Sequence, residues 1–226
     1  MGITQIGAVT VGQAPREDVV PDMLAILGPD VRVLQRGALD GLSHDEVREH
    51  RPATADQVLV SRLRDGTEVE VDKGFVIPRV RQCIQSLEDG VEVILLLCTA
   101  PFRDFESKRP LLLPGLILEQ LVTGLRPHRL GVLTPSPRQV EPQRDRWKAI
   151  VGDLAVEAAS PYAGADGIRH AATRLAQSGV DLVVMDCIGY TRSMKAAVRD
   201  ITNCPVMLAA STLARVAAEL TERGTG

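Results

Sequence analysis

Short runs of aliphatic and β-branched residues alternate along the chain with longer segments whose apolar residues recur at helical spacing. VEVILLLC (91–98) is an example of the first kind and is typical of a buried strand. Residues 75–88 are an example of the second kind, with one apolar face formed by Val76, Val80, Ile84 and Leu87. This alternation indicates βαβ units and predicts an α/β protein with mainly parallel sheets.

One segment departs from this pattern. VLVSRLRDGTEVEVD (58–72) contains two alternating apolar and polar runs, and Asp65-Gly66 between them is a dipeptide that favours tight hairpin turns. We therefore predict a small antiparallel β-hairpin inserted near residues 58–72. The two halves of the chain also resemble each other loosely, and the Pro-containing stretch TGLRPHR (123–129) is the predicted crossing between them.

Proline and capping residues predict where three helices begin or bend. Pro15 suits the first turn of a helix that continues through DVVPDMLAIL. Ser43 and Glu46 have the spacing of a capping box at the start of a short helix. Pro114 falls within an apolar helical segment, where it predicts a kink.

Composition narrows the class of protein. The 226 residues are 45% hydrophobic and 24% charged, as in soluble globular proteins. A net charge of −3, the absence of a basic stripe and few aromatic residues argue against a nucleic-acid partner. Apolar runs are much shorter than the roughly 20 residues of a membrane span, and MGITQIGAVTVG lacks a signal-peptide pattern. We expect a cytoplasmic protein that contacts no membrane.

The four cysteines show neither Cys-x-x-Cys pairs nor histidines at zinc-ligand spacing, so we predict no metal site and no disulfide. Cys83 lies on the apolar face of the helix over 75–88, and Cys204 stands beside Pro205 at a strand start. Both are interpreted as structural. Cys98 and Cys187 differ, because each ends an apolar strand.

In open α/β sheets, ligands bind at the carboxyl ends of the strands, next to helix N-termini whose N–H groups attract anions. Four predicted strand ends carry small, hydroxylated or Pro residues: TVGQAPR (10–16), CTAPF (98–102), TPSPR (134–138) and CIGYT (187–191). They predict a small anionic ligand. The candidate contacts are Thr10, Gly12, Gln13, Arg16, Thr99, Ala100, Thr134, Ser136 and Tyr190. Gly12 and Pro15 also suit an ordinary turn, which gives that loop a purely structural interpretation.

A single cysteine at a strand end would be interpreted as core packing, since free cysteines are among the most buried residues. Two at matching places, in ILLLCTAPF (94–102) and VVMDCIGYT (183–191), favour a joint role. A thiol at a helix N-terminus is shifted toward thiolate. Two thiols facing each other could remove a proton from a stereocentre on one side and deliver one on the other. By strand alternation, Asp186 should point away from the face of Cys187.

At these residues the chain resembles the AroM family. The resemblance is carried by TVGQAPREDVVPDM (10–23), RGALDGLSHDEV (36–47), LLLCTAPF (95–102) and VVMDCIGY (183–190), in that order. It runs along essentially the whole chain. The family takes its name from an association with genes of aromatic biosynthesis, which leaves a role in binding an aromatic-pathway metabolite open.

More distantly, the chain is similar to the aspartate/glutamate/hydantoin racemase superfamily. LLLCTA (95–100), MDCIGY (185–190) and PVMLAASTLARVAAEL (205–220) carry this similarity. It implies two pseudo-symmetric α/β lobes with the C-terminal segment returning to the first. The implied lobes are residues 1–125 with 204–226, and residues 126–203.

The superfamily also implies a site. Its enzymes use a cysteine pair without any cofactor, and homodimers are common among them. The similarity makes Cys98 and Cys187 the two acid/base residues and Thr99 a substrate-carboxylate contact. The backbone around Ile188 and Gly189 is another implied contact.

The sequence departs from the amino-acid racemases of this superfamily at two places. They often have Asp in the first strand loop and His just after the second cysteine, where this chain has TVGQ (10–13) and CIGY (187–190). Hydantoin racemase-like members also lack that His. Activation of the thiols is then expected from helix N-termini.

Three functional hypotheses follow. The first is a cofactor-independent racemase or epimerase that acts on a small carboxylate by two-cysteine proton transfer. The second is a single-cysteine enzyme, a decarboxylase or cis-trans isomerase. The third is a non-catalytic protein that binds a small metabolite linked to aromatic biosynthesis.

Overall fold

A computed structural model describes residues 3–222 and has the predicted α/β architecture. Ten strands and eight helices occur within these residues. In chain order they are β1 Thr4–Thr10, α1 Val20–Leu27, β2 Val31–Gly37, α2 His44–Glu49, β3 Val58–Arg62, β4 Glu68–Asp72, α3 Lys73–Leu87, β5 Val93–Leu97, β6 Leu111–Leu112, α4 Pro114–Leu125, β7 Leu130–Thr134, α5 Val140–Lys148, β8 Leu154–Ala158, α6 Ala165–Gln177, β9 Leu182–Met185, α7 Arg192–Thr202, β10 Val206–Leu208 and α8 Ala209–Thr221.

Two four-stranded parallel sheets organise the molecule into two lobes. The first lobe has the strand order β2-β1-β5-β6 and the second has β10-β9-β7-β8. Strand β5 is buried at every position, as expected of a strand covered on both faces, whereas the edge strand β2 alternates between half-buried and exposed residues. The central strands β1, β5, β7 and β9 all end in a buried residue.

The predicted hairpin is confirmed. Strands β3 and β4 pair antiparallel, from Val58 opposite Asp72 to Arg62 opposite Glu68. Gly66 supplies the positive φ of +96° that the connecting turn requires. The hairpin forms its own two-stranded sheet.

The largest apolar core lies where the two lobes meet. Ile6 and Leu95 of the first sheet share it with Val132 and Val184 of the second, together with residues of helices α1, α4 and α8. Leu213 is the fully buried centre of the α8 contribution. Two smaller apolar clusters cover the outer faces of the two sheets.

The C-terminal segment divides between the lobes at a later residue than the implied boundary at 204. Strand β10 pairs with β9, from Val206 opposite Val183 to Leu208 opposite Met185, and so completes the second sheet. Helix α8 then packs against α1 and α4 of the first lobe. The chain therefore passes from the second lobe back to the first between Leu208 and Ala209. Residues up to Leu208 stay with the second lobe, because a short strand is stable only beside a hydrogen-bonded neighbour.

Two helix predictions need correction and one is confirmed. Helix α1 begins at Val20 with Pro21 in its first turn, so Pro15 precedes the helix instead of starting it. Pro114 is the first residue of α4, where a missing N–H costs nothing, and causes no kink. The capping box of Ser43 and Glu46 is present at α2. Within residues 3–222, we find no helix with the length and apolar character of a membrane span.

Candidate functional site

A cleft of about 300 Å³ lies between the lobes, at the carboxyl ends of their central strands. Cys98 lines it directly after β5, and Cys187 lines it just beyond the end of β9. Residues 55–60 of the hairpin segment form one wall, and helix α5 contributes Gln143 and Arg146. The structure therefore brings together the two cysteines that the sequence pairs, one from each lobe.

Both thiols are buried and protonated at neutral pH. Burial raises the pKa of Cys98 to about 11, against a smaller lowering by the N–H of Ala100. Burial raises the pKa of Cys187 to about 12, although the N–H of Gly189 donates to its Sγ at 3.4 Å. The expected shift toward thiolate is wrong, because Cys98 is followed by an irregular loop and α7 begins only at Arg192. Desolvation outweighs the backbone donors.

Asp186 lines the same cleft as Cys187, which corrects the expectation that it points elsewhere. Strand β9 ends at Met185, so the alternation of side chains no longer applies beyond that residue. The Oδ2 atom of Asp186 accepts hydrogen bonds from Arg146 at 3.0 Å and from Nε1 of Trp147 at 2.9 Å. Its Oδ1 atom is buried and has no hydrogen-bond partner among the described residues.

Arg146 is the central cation of the site, with a side chain only 9% exposed. It donates to Oε1 of Glu119 at 2.8 Å, to Oδ2 of Asp186, and to the carbonyl oxygens of Thr99 and Gly115. These bonds tie the loop after β5 to the loop after β9. The sequence analysis missed Arg146, because nothing in QRDRWK distinguishes it from its more exposed neighbour Arg144.

A second buried arginine, Arg16, lies close enough to both cysteines for its charge to act on them. The guanidinium of Arg16, 2% exposed, donates to both carboxylate oxygens of Asp18, to Thr10 Oγ1 at 3.1 Å and to the Tyr162 hydroxyl at 3.0 Å. Burial alone would lower the pKa of Arg16, but the hydrogen bond and charge of Asp18 raise it on balance. Its positive charge lowers the pKa of both cysteines, although burial dominates. Thr10 and Arg16 therefore support the site without lining the cleft.

Three of the other predicted contacts line the cleft: Thr99, Ala100 and Ile188. The hydroxyl of Thr99 donates to the carbonyl oxygen of Asp186 at 3.1 Å. That bond uses the only hydrogen that Thr99 could offer to a substrate carboxylate. Its contribution to the site is to join the two cysteine loops.

The remaining predicted contacts lie outside the cleft lining, and most of their polar groups bind other parts of the chain. The amide of Gln13 donates to the carbonyl oxygens of Leu39 and Leu42 and accepts from the N–H of Arg64. Thr134 donates to Gln139, Ser136 to Glu70 and Tyr190 to the carbonyl oxygen of Ala159. Gly12 and Gly189 allow close packing, because a Cβ would collide with Ser61 at Gly12 and with Tyr162 at Gly189.

The hairpin reaches across the cleft to the second lobe, which its sequence did not indicate. Glu70 of β4 accepts from Ser136 Oγ and from Arg138, each at 2.8 Å. Gln139 donates to the carbonyl oxygen of Val58 at 2.9 Å. These contacts hold residues 55–60 in place as a wall of the cleft.

Lys73, the first residue of α3, is a further cation that the sequence analysis missed. It lines the cleft half-buried, and its Nζ lies 5.7 Å from the ring centroid of Phe102. Within residues 3–222, Lys73 forms no ion pair closer than 4 Å. Its position immediately after β4 depends on the hairpin.

Residues that could bind a metal ion are not clustered within residues 3–222. The described residues contain no group of three or more His, Cys, Asp or Glu side chains placed to hold a metal ion. The four cysteines are free thiols.

Comparison with known proteins identifies a matching family and several structures with a similar fold. The family model described as AroM protein matches residues 6–221. Allantoin racemase from Klebsiella pneumoniae superposes with a TM-score of 0.66 at 14% identity, covering 96% of this chain and 87% of the racemase. The maleate cis-trans isomerase of Nocardia farcinica superposes with a TM-score of 0.67 at 16% identity, covering 96% and 92%.

Unliganded arylmalonate decarboxylase shares the fold as well. Its TM-score is 0.60 at 14% identity, and the match covers 98% of this chain and 94% of the decarboxylase. No curated protein matches the chain significantly in sequence. The fold is therefore that of racemases, isomerases and a decarboxylase.

Proposed function

The chain belongs to the AroM family, and we propose that it is a cofactor-independent racemase or epimerase acting on a small carboxylate through Cys98 and Cys187. The observation that carries the proposal is that one thiol from each lobe lines a single cleft. A cleft of about 300 Å³ is at the lower end of the range for small-molecule sites and suits a small substrate. The racemase and isomerase folds of the similar structures support the same reaction class.

The proposed reaction moves one proton off a carbon and another onto it. One cysteine, as thiolate, removes the proton from the carbon next to the substrate carbonyl, and the C–H electron pair remains on the substrate as an enolate. The opposite cysteine, as thiol, then gives its proton to the other face of that carbon. The first cysteine ends as thiol and the second as thiolate, so the pair is set for the reverse reaction.

Charges around the thiols favour Cys98 as the first to ionise. Arg16 lowers the pKa of both thiols, and Arg146 lowers that of Cys98 as well, against the larger effect of burial. Lys73 lines the cleft and forms no ion pair with any residue in 3–222, so we assign the substrate carboxylate to it. This assignment replaces the hydroxyl of Thr99.

The test is solvent exchange. The protein is incubated in D2O with a panel of small 2-substituted carboxylates and cyclic amides, and deuterium at the acidic carbon is followed by NMR. Two-base chemistry predicts that Cys98→Ser and Cys187→Ser each reduce racemisation by at least about a hundredfold. Cys83→Ser, which alters a half-buried thiol outside the cleft, is the matched control and should leave the rate unchanged.

A single-cysteine decarboxylase or cis-trans isomerase is the second candidate, and the likeness of the fold to arylmalonate decarboxylase and to a maleate cis-trans isomerase favours it. A one-thiol enzyme would lose activity with one serine variant and keep it with the other. Saturable binding of an aromatic-pathway acid, without turnover and unaffected by either substitution, would instead identify a metabolite-binding protein.

A further inference from the structure

One carboxylate oxygen of a residue that lines the cleft has no hydrogen-bond partner among the residues that the structure describes. Asp186 is 1% exposed, and its Oδ1 accepts no hydrogen bond from any described residue. A buried carboxylate oxygen without a donor is costly, and most such atoms in folded proteins are satisfied by protein, water or ligand. Asp186 lines the cleft together with Cys187, so a molecule bound in the cleft lies next to this residue.

The neighbouring donors are already committed to other acceptors. The N–H of Trp147 and one N–H of Arg146 bind Oδ2, and the other nitrogens of Arg146 bind Glu119 and the carbonyl oxygen of Gly115. The hydroxyl of Thr99 binds the backbone oxygen of Asp186. Oδ2 is thus fixed by two donors, and this fixes the position of Oδ1.

We propose that Oδ1 of Asp186 accepts a hydrogen bond from the substrate and so selects substrates with a donor, a hydroxyl or an amide N–H, next to the reacting carbon. The reference to a reacting carbon rests on the function proposed above. A second carboxylate at this place is disfavoured, since it would face the Asp186 charge with no hydrogen to donate. The substrate class is therefore small monocarboxylates with such a donor, 2-hydroxy acids or N-acylated amino acids, and not dicarboxylates.

The experiment compares ligand pairs that differ by one methyl group on the donor atom. Suitable pairs are mandelate with its O-methyl ether and N-acetylalanine with N-acetyl-N-methylalanine. Dissociation constants are measured by calorimetry and ligand-observed NMR. We expect at least one donor-bearing probe to bind tighter than its methylated partner by about tenfold or more, because methylation leaves Oδ1 unpaired.

Asp186→Asn then changes the hydrogen-bonding capacity of this side chain while its size stays nearly the same. The amide oxygen of Asn keeps the bonds from Arg146 and Trp147, so its NH2 group takes the place of Oδ1 and offers a donor instead of an acceptor. The preference for the donor-bearing probe should fall to near unity or reverse. Asp145→Asn removes the same charge from an exposed position on α5 and should keep the preference. Thermal unfolding of each variant confirms that it is folded.

Solvent exchange is measured on the same samples, which distinguishes this inference from the proposed function. A donor preference without deuterium exchange supports the role of Asp186 and contradicts the racemase proposal. Exchange of methylated and unmethylated probes at equal affinity supports the racemase proposal and overturns the role of Asp186. If no donor-bearing probe binds tighter than its methylated partner, the role of Asp186 is likewise overturned.

Discussion

Two buried arginines and one buried aspartate set the charges around the cysteine pair. Arg16 and Arg146 each lower the pKa of Cys98, and Asp186 raises it, but burial has the largest effect. Both arginines are fully committed to protein acceptors, so neither is available to neutralise a substrate. At the scale of single residues, the proposed function therefore gives proton transfer to the cysteines and anion binding to Lys73.

Lys73 provides the residue-scale prediction. Lys73→Met should raise KM for a carboxylate substrate by about tenfold or more and change kcat little, because it removes a charge that contacts the carboxylate and not the reacting carbon. Steady-state kinetics by polarimetry or NMR measures both constants. Lys148→Met, which removes an exposed lysine at the end of α5, is the control. An unchanged KM for Lys73→Met would contradict the assignment.

At the scale of elements, the hairpin β3–β4 determines how closed the cleft is. It belongs to the first lobe in sequence, yet Glu70 and Val58 hydrogen-bond to residues of the second lobe. Residues 55–60, at the start of the hairpin, form one wall of the cleft, and the end of the hairpin positions Lys73. A hairpin that contacts both lobes therefore couples their separation to the shape of the site.

Glu70→Gln tests this coupling. Loss of the ion pair with Arg138 and weakening of the bond from Ser136 should lower the free energy of unfolding by about 1–2 kcal/mol, as expected for partly exposed contacts. Amide hydrogen exchange across residues 55–62 should become faster, and KM should rise. Glu49→Gln, at an exposed position on α2, controls for the change of charge. Unchanged exchange in the hairpin segment would show that these contacts do not hold the wall.

At the scale of the whole molecule, closure of two lobes around one cleft determines the protonation of the cysteines. Neither thiol is buried by its own strand alone, because each lies beyond the end of that strand. The cleft that surrounds them takes residues from both sheets and from the hairpin. The raised pKa values of Cys98 and Cys187 are thus a consequence of the assembled fold.

A pH profile follows from these values. The proposed reaction needs one thiolate and one thiol, and both pKa values are raised, to about 11 and about 12. The active form is therefore scarce at neutral pH, and kcat/KM should rise about tenfold per pH unit between about pH 7 and pH 9. Circular dichroism at each pH verifies that the fold persists. A profile that is flat over this range would exclude a thiolate with so high a pKa.

Much of the architecture was determined by local sequence. Apolar runs and helical spacing determined the strands and helices, Asp65-Gly66 determined the hairpin turn, and the matching strand ends identified Cys98 and Cys187. These features depend on periodicity and turn chemistry, which act between near neighbours in the chain.

The environment of the site was decided only by the tertiary structure. Arg146 meets Asp186 and Glu119 across long stretches of chain, and the hairpin reaches a lobe that the sequence gives it no reason to contact. The direction of the cysteine pKa shifts was decided there as well, because desolvation depends on everything that packs around a group and not on the residues beside it in sequence. The sequence alone thus selected the two thiols, and the folded molecule determined their protonation, their neighbours and the Asp186 oxygen that no described residue pairs.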